Sequence, residues 1–425
     1  MLRLGRYFEN LPLKHVLITI FVLALIVRLV YLLTKPLAWS HELRFGDEPL
    51  YHGLAVNLLI GNGYTFEGDP RVYPPPLYSV FIALVYCIFG ISPPAVRITQ
   101  AILGSFLCML LSLWAAKIWD KRAGILVGVF SAFNYTFVRM PFFLRSENLY
   151  FLLFAAATMV TWHLGTTNHR WKSKSMLSGI LWALSALTRE IAKPVAYLMI
   201  LWIVLRTNWK KASLLLVMML IAILPWSIRN HLISANISKN AKIGKRLNLP
   251  FFLKILPGGL LYISFGPPGP GPRLLGDWNI GPDIQPPNFP VDIHPAEKDN
   301  WLTLQTLNYI RSNPKEAIIS RIPRKFINIL MPFQESSGIR IKILLTLWYL
   351  LLLIFSIPMI WQAWHSSYNP ERHYAELVLI VTLFTIIFHT VFFGVVRYRY
   401  PVDILLHVAV GRWALKWQRS QSEAP

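Results

Sequence analysis

Residues 16–33, VLITIFVLALIVRLVYLL, form the apolar run that decides the fold class of this chain. About 20 such residues cross a bilayer as a helix. Arg3, Arg6 and Lys14 precede the run, and no small-residue cleavage site follows it. This pattern predicts a retained signal anchor rather than a cleaved signal peptide. Arg28 interrupts the run, and we expect its side chain to pair inside a helical bundle or to snorkel.

The composition extends this interpretation to the whole chain. Of 425 residues, 55% are hydrophobic and only 15% are charged, whereas soluble domains carry about 25% charged residues. We therefore predict an all-α polytopic membrane protein. The net charge of +22 is also compatible with nucleic acid, but the basic residues lie mainly in short connections between apolar runs. No nucleic-acid-binding motif accompanies them.

Apolar runs along the chain predict about ten transmembrane helices. The candidate spans are 13–34, 95–117, 122–140, 147–165, 176–189, 194–206, 211–228, 340–362, 375–395 and 401–417.

These spans divide the chain into three predicted parts. Residues 1–229 form an N-terminal transmembrane module whose first outer loop, 35–94, carries amphipathic surface helices. Residues 230–339 form a long outer loop, and residues 340–425 form the C-terminal transmembrane helices. Within the long loop, the Pro/Gly-rich stretch 257–282 predicts a mobile cover and 299–310 a surface helix.

The positions of the basic residues predict the orientation of the chain in the membrane. The loops 117–122, 169–174 and 206–211 carry lysine, arginine and histidine, and with ten spans they share a side with both termini. The positive-inside rule makes that side cytoplasmic, in a plasma or inner membrane. The apolar stretch 77–89 is predicted to lie along the outer surface, since an eleventh span there would reverse every later loop.

A second set of charges then collects on the outer face, where arginine needs an explanation. Binding of an anion is the simplest one. For a single arginine, a lipid headgroup contact or a local ion pair, such as Arg145 with Glu147 or Arg189 with Glu190, explains it equally well. The predicted outer set is Asp47, Glu48, Arg97, Arg145, Glu147, Arg189, Glu190, Arg229, Arg397 and Arg399.

The stretch 46–64, GDEPLYHGLAVNLLIGNGY, carries the candidate chemistry. Pro49 suits a first helical turn and Asp47 an N-cap, so Asp47 has a purely structural alternative role. Glu48 beside it makes an acidic pair, which the first-turn amides keep ionised. An ionised carboxylate can act as a general base on an acceptor hydroxyl or amine. Because a phosphate leaving group needs little acid assistance, one carboxylate suffices for inversion.

Other chemistries find less support in the sequence. There is no P-loop, HExxH, paired CxxC or GxSxG motif. Cys87 and Cys108 predict two buried thiols rather than a disulfide. His365 and His373 flank a loop and predict solvated side chains. We expect no required cofactor and no dedicated metal site, although Asp47, Glu48 and Glu147 could meet around a divalent cation.

Several strings together resemble a known family, the dolichyl-phosphate-mannose protein mannosyltransferases and their prokaryotic relatives. These relatives include the aminoarabinose transferase that modifies lipid A. The resemblance implies the GT-C fold of membrane glycosyltransferases. The strings are GDEPLYHGLAVNLLIGNGY (46–64), PPLYSVFIALVYCIFG (75–90), RSENLYFLL (145–153), ALTRE (186–190), LPWSIRN (224–230), NYIRSNPKEAIISRIPRKF (308–326) and RYRYP (397–401).

The resemblance also implies residue roles. Asp47 matches the family's catalytic aspartate in the first outer loop, and Glu48 completes the acidic pair of the mannosyltransferases. Arg97 matches an arginine that is important in that subgroup. Glu147 lies where relatives often have an acidic residue facing the cavity.

In the last helices and near the donor, the chain matches the family in part and departs from it in part. Arg397 and Arg399 match a basic pair that the family places near the donor. Many relatives have a lysine before the PPLY segment, where this chain has Pro74, and Arg71 upstream is the candidate substitute. Glu190 stands where relatives often have proline. The predicted donor-phosphate and substrate set is Arg71, Arg97, Glu147, Arg189, Arg229, Arg397 and Arg399.

The hypothesis is an inverting glycosyltransferase. It would move a sugar from a polyprenyl-phosphate donor to a lipid, glycan or protein acceptor, with Asp47 as base and Glu48 orienting the acceptor. Two alternatives stay open at this point. One is a transporter or flippase of lipid-linked sugars, although no inverted repeat is visible. The other is a noncatalytic sugar-lipid binding subunit.

Overall fold

The computed structural model describes residues 11–44, 46–239, 265, 295–319, 321–333, 338–392 and 396–415. Almost every regular element is a helix, as the composition predicts. The helices are α1 Leu13–Leu33, α2 Glu48–Leu59, α3 Leu77–Phe89, α4 Pro93–Ile118, α5 Lys121–Ala132, α6 Tyr135–Arg139, α7 Glu147–Thr166, α8 Trp171–Thr188, α9 Ala192–Arg206, α10 Trp209–Lys239, α11 Pro295–Ser312, α12 Ile322–Leu330, α13 Ile339–Trp364, α14 Asn369–Val391 and α15 Tyr400–Val410. A small antiparallel hairpin follows α2. Its two strands, β1 Thr65–Phe66 and β2 Asp69–Pro70, have two residues each.

Six of the described helices are long and apolar enough to cross a bilayer, namely α1, α4, α7, α10, α13 and α14. A seventh span is made if α5 and the following Tyr135–Phe142 are joined across their 55° bend. The expected count of about ten is not confirmed. α9 has 15 residues and α15 has 11, which is short of the roughly 20 that cross a bilayer. α8 has 18 residues, and serines line its buried face.

The chain divides into two compact units. The first comprises Met1–Ala222, Leu347–Leu379 and Asp403–Pro425, and the second comprises Ile223–Thr346 and Ile380–Val402.

Small residues bring the helices of the first unit together. At Gly128 of α5, a Cβ would meet the Ile20 side chain of α1 at 2.8 Å. At Gly104 of α4, a Cβ would meet Arg28 Nε at the same distance. Arg28 is fully buried and donates to the Ala24 carbonyl and to Cys108 Sγ. Arg28 therefore pairs inside the bundle, which was one of its two expected placements.

Both cysteines are free, so no disulfide forms between them. Cys108 is buried, as expected. The expectation that Cys87 is buried is wrong, because Cys87 lies on the exposed side of α3. His365 is exposed, as predicted, whereas His373 is only partly exposed and packs edge-on against the Trp202 ring at 5.4 Å. The prediction of a solvated His373 is therefore wrong.

The first outer loop folds around two short helices. α2 begins after Gly46 and ends before Gly61, and both glycines have positive φ. Tyr51 of α2 packs edge-on against Tyr78 of α3, with ring centroids 4.8 Å apart. α3 has 13 residues, too few to cross a bilayer as a helix. Its large exposed apolar side chains are Leu84, Ile88 and Phe89.

The second unit contains the predicted surface helix and much of the RYRYP string. The expectation of a helix over 299–310 is confirmed by α11, which extends further at both ends. The Pro/Gly-rich stretch 257–282 lies outside the described residues, apart from Phe265. Lys325 of α12 donates to the Val391 carbonyl at 2.8 Å and so connects α12 to the end of α14.

Candidate active site

The acidic pair lies at the start of α2, but its two members face different surroundings. Asp47 occupies the N-cap position and is exposed, while Glu48 begins the helix and is fully buried. Successive helical residues point about 100° apart, so neighbours in sequence need not share an environment. The Asp47 side chain makes no capping hydrogen bond. The structural alternative for Asp47, a helix cap, is therefore not what its carboxylate does.

Glu48 binds backbone amides with both carboxylate oxygens. Its Oε1 accepts from Leu144 N at 3.0 Å, and its Oε2 accepts from Arg44 N at 3.2 Å. These bonds connect α2 to the segment before α7 and to the loop before α2. In this position Glu48 ties the loop before Asp47 to the segment before α7. Glu48 thus positions the backbone in this structure, and its expected role in orienting an acceptor stays a prediction.

A chain of polar contacts runs from α2 to α7. Tyr51 lies one turn after Asp47, and its hydroxyl donates to Ser146 Oγ at 3.3 Å. Arg189 Nη1 donates to the same Ser146 Oγ at 3.2 Å. Arg189 also forms an ion pair with Glu147, with Nη1 and Oε1 2.9 Å apart. A carboxylate and a guanidinium thus meet close to the start of α2.

From the sequence, Arg145 with Glu147 and Arg189 with Glu190 were possible local ion pairs. Glu147 pairs with Arg189, which lies 42 positions further along the chain. Arg145 instead stacks on the Phe143 ring, with its guanidinium carbon 4.6 Å from the ring centroid. Arg189 is mostly buried and also lies over the Tyr150 ring at 5.9 Å.

The electrostatics of Tyr51 report on the same neighbourhood. Burial raises the pKa of Tyr51 well above its ordinary value, and the negative charge of Asp47 raises it further. The positive charge of Arg189 acts in the opposite direction. Tyr51 is therefore a neutral hydrogen-bond donor at physiological pH, and both Asp47 and Arg189 act on it.

Arg97 lies inside the first outer loop. Its guanidinium donates to five backbone carbonyls, and the residue is 1% exposed. Four of the carbonyls belong to the connection after α1 and the fifth to the segment before α7. Arg97 thus fixes the loop in this structure, and its expected contact with the donor phosphate stays a prediction. The five acceptors are Leu37, Ala38, Ser40, Glu42 and Phe142.

Arg71 lies just after the β1–β2 hairpin. Its Nη2 is 3.5 Å from a Glu67 carboxylate oxygen, and its guanidinium lies over the Phe66 ring. About a third of the side chain is exposed. The proposed substitution of Arg71 for the missing lysine stays a prediction.

The other predicted arginines belong to the second unit. Arg229 stacks on Trp226 at 4.7 Å and donates to Asn230 Oδ1. Arg397 lies over the Tyr398 ring at 5.5 Å. Arg399 is buried and donates to the carbonyls of Ile329 and Met331, at 3.1 and 2.7 Å. Arg399 thus fastens the segment after α14 to the end of α12.

Sequence reasoning missed several polar residues of the first unit. Tyr51 lies four positions after Asp47, and that helical spacing was a usable signal. Lys193 is fully buried in the first turn of α9, near Arg189 in sequence, and the sequence gave no reason to single it out. Gln100 accepts from Tyr78 at 2.6 Å and donates to two carbonyls before α7.

Asp47, Glu48 and Glu147 are the residues that the sequence suggested for a divalent cation. Among the described residues, no group of three or more His, Cys, Asp and Glu side chains is arranged to hold a metal ion. Both Glu48 oxygens accept from amides, and Glu147 is paired with Arg189. Glu48 and Glu147 therefore already have partners in this structure, and the expectation that no metal is required stays a prediction.

Comparison with known proteins supports this fold. Residues 74–228 match the family described as dolichyl-phosphate-mannose-protein mannosyltransferase. The match begins after Asp47 and Glu48, so it does not include the acidic pair. No curated protein sequence matches the chain.

Solved structures match over nearly the whole chain. ArnT from Cupriavidus metallidurans in the apo state aligns with a TM-score of 0.55 at 15% identity, covering 96% of this chain and 61% of ArnT. The same protein bound to undecaprenyl phosphate gives 0.57 at 14% identity, covering 95% and 61%. The oligosaccharyltransferase AglB from Archaeoglobus fulgidus, in complex with an inhibitory peptide and a dolichol-phosphate, gives 0.58 at 14%, covering 99% and 52%.

The chain has the GT-C fold. The resemblance inferred from the sequence strings is thereby confirmed at the level of fold. The chain spans less than two thirds of the length of ArnT and about half of AglB. Within this GT-C fold, the acidic pair stands at the start of the first short helix after α1.

Proposed function

We propose that this chain is an inverting glycosyltransferase that takes a sugar from a polyprenyl-phosphate donor. The acceptor is a lipid, a glycan or a protein, and the reaction takes place at the outer face of the membrane. The fold supports the reaction class, because ArnT and AglB are solved with undecaprenyl phosphate and dolichol-phosphate respectively. The partial match to a mannosyltransferase family supports a lipid-linked sugar as donor.

The observation that carries the proposal is the difference between Asp47 and Glu48. Glu48 is buried and holds backbone amides, while the Asp47 carboxylate is exposed and makes no capping bond. A general base must reach the proton that it removes, and it must be held in place by its surroundings. Asp47 meets the first condition, and Glu48 supplies part of the second.

The chemical step balances without a further reactant. Asp47 accepts the proton of the acceptor hydroxyl or amine, and the acceptor atom forms a bond to the anomeric carbon. The bond between that carbon and the phosphate oxygen breaks, and the electron pair leaves with the polyprenyl phosphate. Inversion follows from a single displacement. No carboxylic acid is needed to protonate the leaving phosphate, since it is already a stable anion.

Arginines supply the positive charge that the leaving phosphate needs. Arg189 and Tyr51 both donate to Ser146 Oγ, and Tyr51 lies one helical turn after Asp47. The ion pair of Arg189 with Glu147 fixes the position of the guanidinium. The donor-phosphate roles of Arg229 and Arg397 stay predictions from the sequence. Arg97 and Arg399 are assigned to the scaffold, because their donors bind backbone carbonyls.

The proposed chain has a defined orientation in the membrane, and the proposed reaction uses no metal ion. Both termini lie on the cytoplasmic side, and Asp47 faces the opposite side of the membrane. The reaction requires no metal ion, so activity should persist in excess chelator. A divalent-metal requirement abolished by chelation and restored by the ion would contradict this part.

The test compares cells with and without the protein. Mass spectrometry of their lipids, glycans and secreted proteins should reveal one class of molecule that loses a sugar when the chain is absent. Purified protein should then transfer that sugar from membranes supplied with labelled lipid-linked donor. Movement of the lipid-linked sugar across vesicles without any change of glycosidic bond would favour a transporter instead and would overturn the proposal.

A further inference from the structure

A second cluster of charged side chains lies at the other ends of the helices that carry the candidate site. α7 begins at Glu147 and runs for 20 residues to Thr166, a length of about 30 Å. His163 and Leu164 therefore lie about one helix length from Glu147. α4 likewise has Arg97 near its start and Lys117 in its last turn. This end of the first unit is remote from Asp47.

Direct contacts bring four helix ends together here. The Trp114 ring of α4 lies 6.3 Å from the Trp162 ring of α7. α7 and α8 are joined by the hydroxyls of Thr161 and Ser178, 2.7 Å apart. Lys211, in the first turn of α10, donates from Nζ to the Leu164 carbonyl of α7 at 2.9 Å.

The side chains that meet at this end are basic. Lys211 is 2% exposed, although surface lysines at a membrane boundary are normally solvated. Lys174, in the first turn of α8, has a buried Nζ with no hydrogen-bond partner among the described residues. Burial lowers the pKa of Lys174, and the positive charges of Lys211 and Lys117 lower it further.

Acidic residues near this end are already engaged elsewhere. Asp120 caps α5 by accepting from Ala123 N at 2.8 Å. The start of α14 lies nearby, since Trp162 Nε1 donates to the Pro370 carbonyl. In α14, Glu371 pairs with Arg412 and Glu376 pairs with Arg206. Within the part of the chain that the structure describes, the charges that act on Lys174 are both positive.

We propose that Lys117, Lys174 and Lys211 form a binding site for a phosphate group. Each ammonium offers three donors, and lysine binds phosphate as a point charge. A phosphate at this position would accept from the Lys174 ammonium and neutralise the repulsion among the three cations. Its source is the headgroup of an anionic phospholipid or a soluble phosphate. The site is separate from the proposed transfer reaction and does not depend on it.

Two measurements on the purified full chain test the site and distinguish the sources. Native mass spectrometry in detergent, with equal phosphatidylglycerol and phosphatidylcholine, measures retention of the anionic lipid. Thermal unfolding in sodium phosphate, against sodium chloride of equal ionic strength, measures binding of inorganic phosphate. The variants are Lys174→Gln and Lys117→Gln. The matched control is Lys172→Gln, an exposed lysine of the same first turn of α8.

The proposal predicts about a fivefold loss of affinity for each site lysine removed, and no loss for Lys172→Gln. Loss in the lipid arm alone identifies a phospholipid headgroup, and loss in the phosphate arm alone identifies a soluble phosphate. Lys117 is exposed, so its variant decides the matter if Lys174→Gln does not fold. The site is ruled out if neither site variant differs from wild type, or if Lys172→Gln loses as much.

Discussion

The carboxylate of Glu48 accepts a hydrogen bond from the backbone amide of Leu144 at 3.0 Å, 96 positions further along the chain. This bond joins the start of α2 to the segment that leads into α7. Asp47, the adjacent residue, is exposed and does not cap its helix. The two acids therefore have different surroundings: Glu48 holds the backbone, whereas Asp47, the proposed base, is exposed.

Replacing Glu48 should reduce stability. In Glu48→Gln, the amide keeps one acceptor oxygen, but its NH2 group faces a backbone N–H that then lacks an acceptor. We expect the free energy of unfolding to fall by about 1–3 kcal/mol, measured by thermal or denaturant unfolding in detergent. Glu42→Gln is the control, because the exposed Glu42 side chain forms a surface ion pair with the exposed Arg44. Equal stability of the two variants would contradict the positioning role.

Replacing Arg97 should loosen the loop between α1 and α2. Lysine cannot reproduce the planar fork that reaches carbonyls of two separate segments. Arg97→Lys should therefore increase hydrogen exchange of the amides in 37–44, measured by mass spectrometry of peptides. Arg44→Lys, an exposed substitution in the same loop, should leave exchange unchanged. If Arg97 instead serves only to bind a ligand, its replacement will leave the exchange of this loop as in wild type.

The ion pair between Glu147 and Arg189 should show coupling. Its side chains are 5% and 16% exposed, so little water screens the pair. A double-mutant cycle of Glu147→Gln and Arg189→Gln should give a coupling energy of about 0.5–3 kcal/mol. Each single variant should also lower the rate of transfer, since each disturbs the guanidinium that shares Ser146 Oγ with Tyr51, one turn after Asp47. Strict additivity in both stability and transfer would argue against the pair.

His52 should make stability depend on pH. Its Nδ1 lies 2.8 Å from the Tyr86 hydroxyl, and burial lowers the pKa of His52, with a further contribution from His41. As the pH falls, the unfolded state takes up the proton first, near the ordinary value of 6.5. The stability contributed above that pH is therefore lost on acidification.

Unfolding of wild type and His52→Gln, compared between about pH 5 and 7.5, tests this sign. The wild type should lose more stability on acidification than the variant. Identical pH dependence of the two proteins would assign the effect to other groups.

Local signals predicted much of this structure. Asp47, Pro49 and Gly61 marked both ends of α2, the apolar runs predicted a helical membrane bundle, and the family resemblance implied the GT-C fold. These features depend on residues close in sequence. The burial of Glu48 was also within reach, because a helix turns by about 100° per residue.

Side-chain direction was the part that sequence could not supply. Arg97 lies near the start of α4, as the sequence indicated, but its guanidinium points at carbonyls 55 or more positions before it and 45 after it. The pairing of Glu147 with Arg189 likewise depends on how α7 and α8 pack. The charges predicted for one face therefore indicated which residues could lie near one another. The packing of the helices determined which arginines bind backbone carbonyls.

The central claim is that Asp47 is the base, and Asp47→Asn tests it most directly. The measurement is the rate of sugar transfer by the purified protein, with the donor and acceptor identified by comparing cells with and without it. Asp69→Asn, an isosteric change in the nearby hairpin, is the control. Loss of a general base should slow transfer by about 100-fold or more, with normal folding and a control at the wild-type rate. Transfer by Asp47→Asn at the wild-type rate would contradict the account.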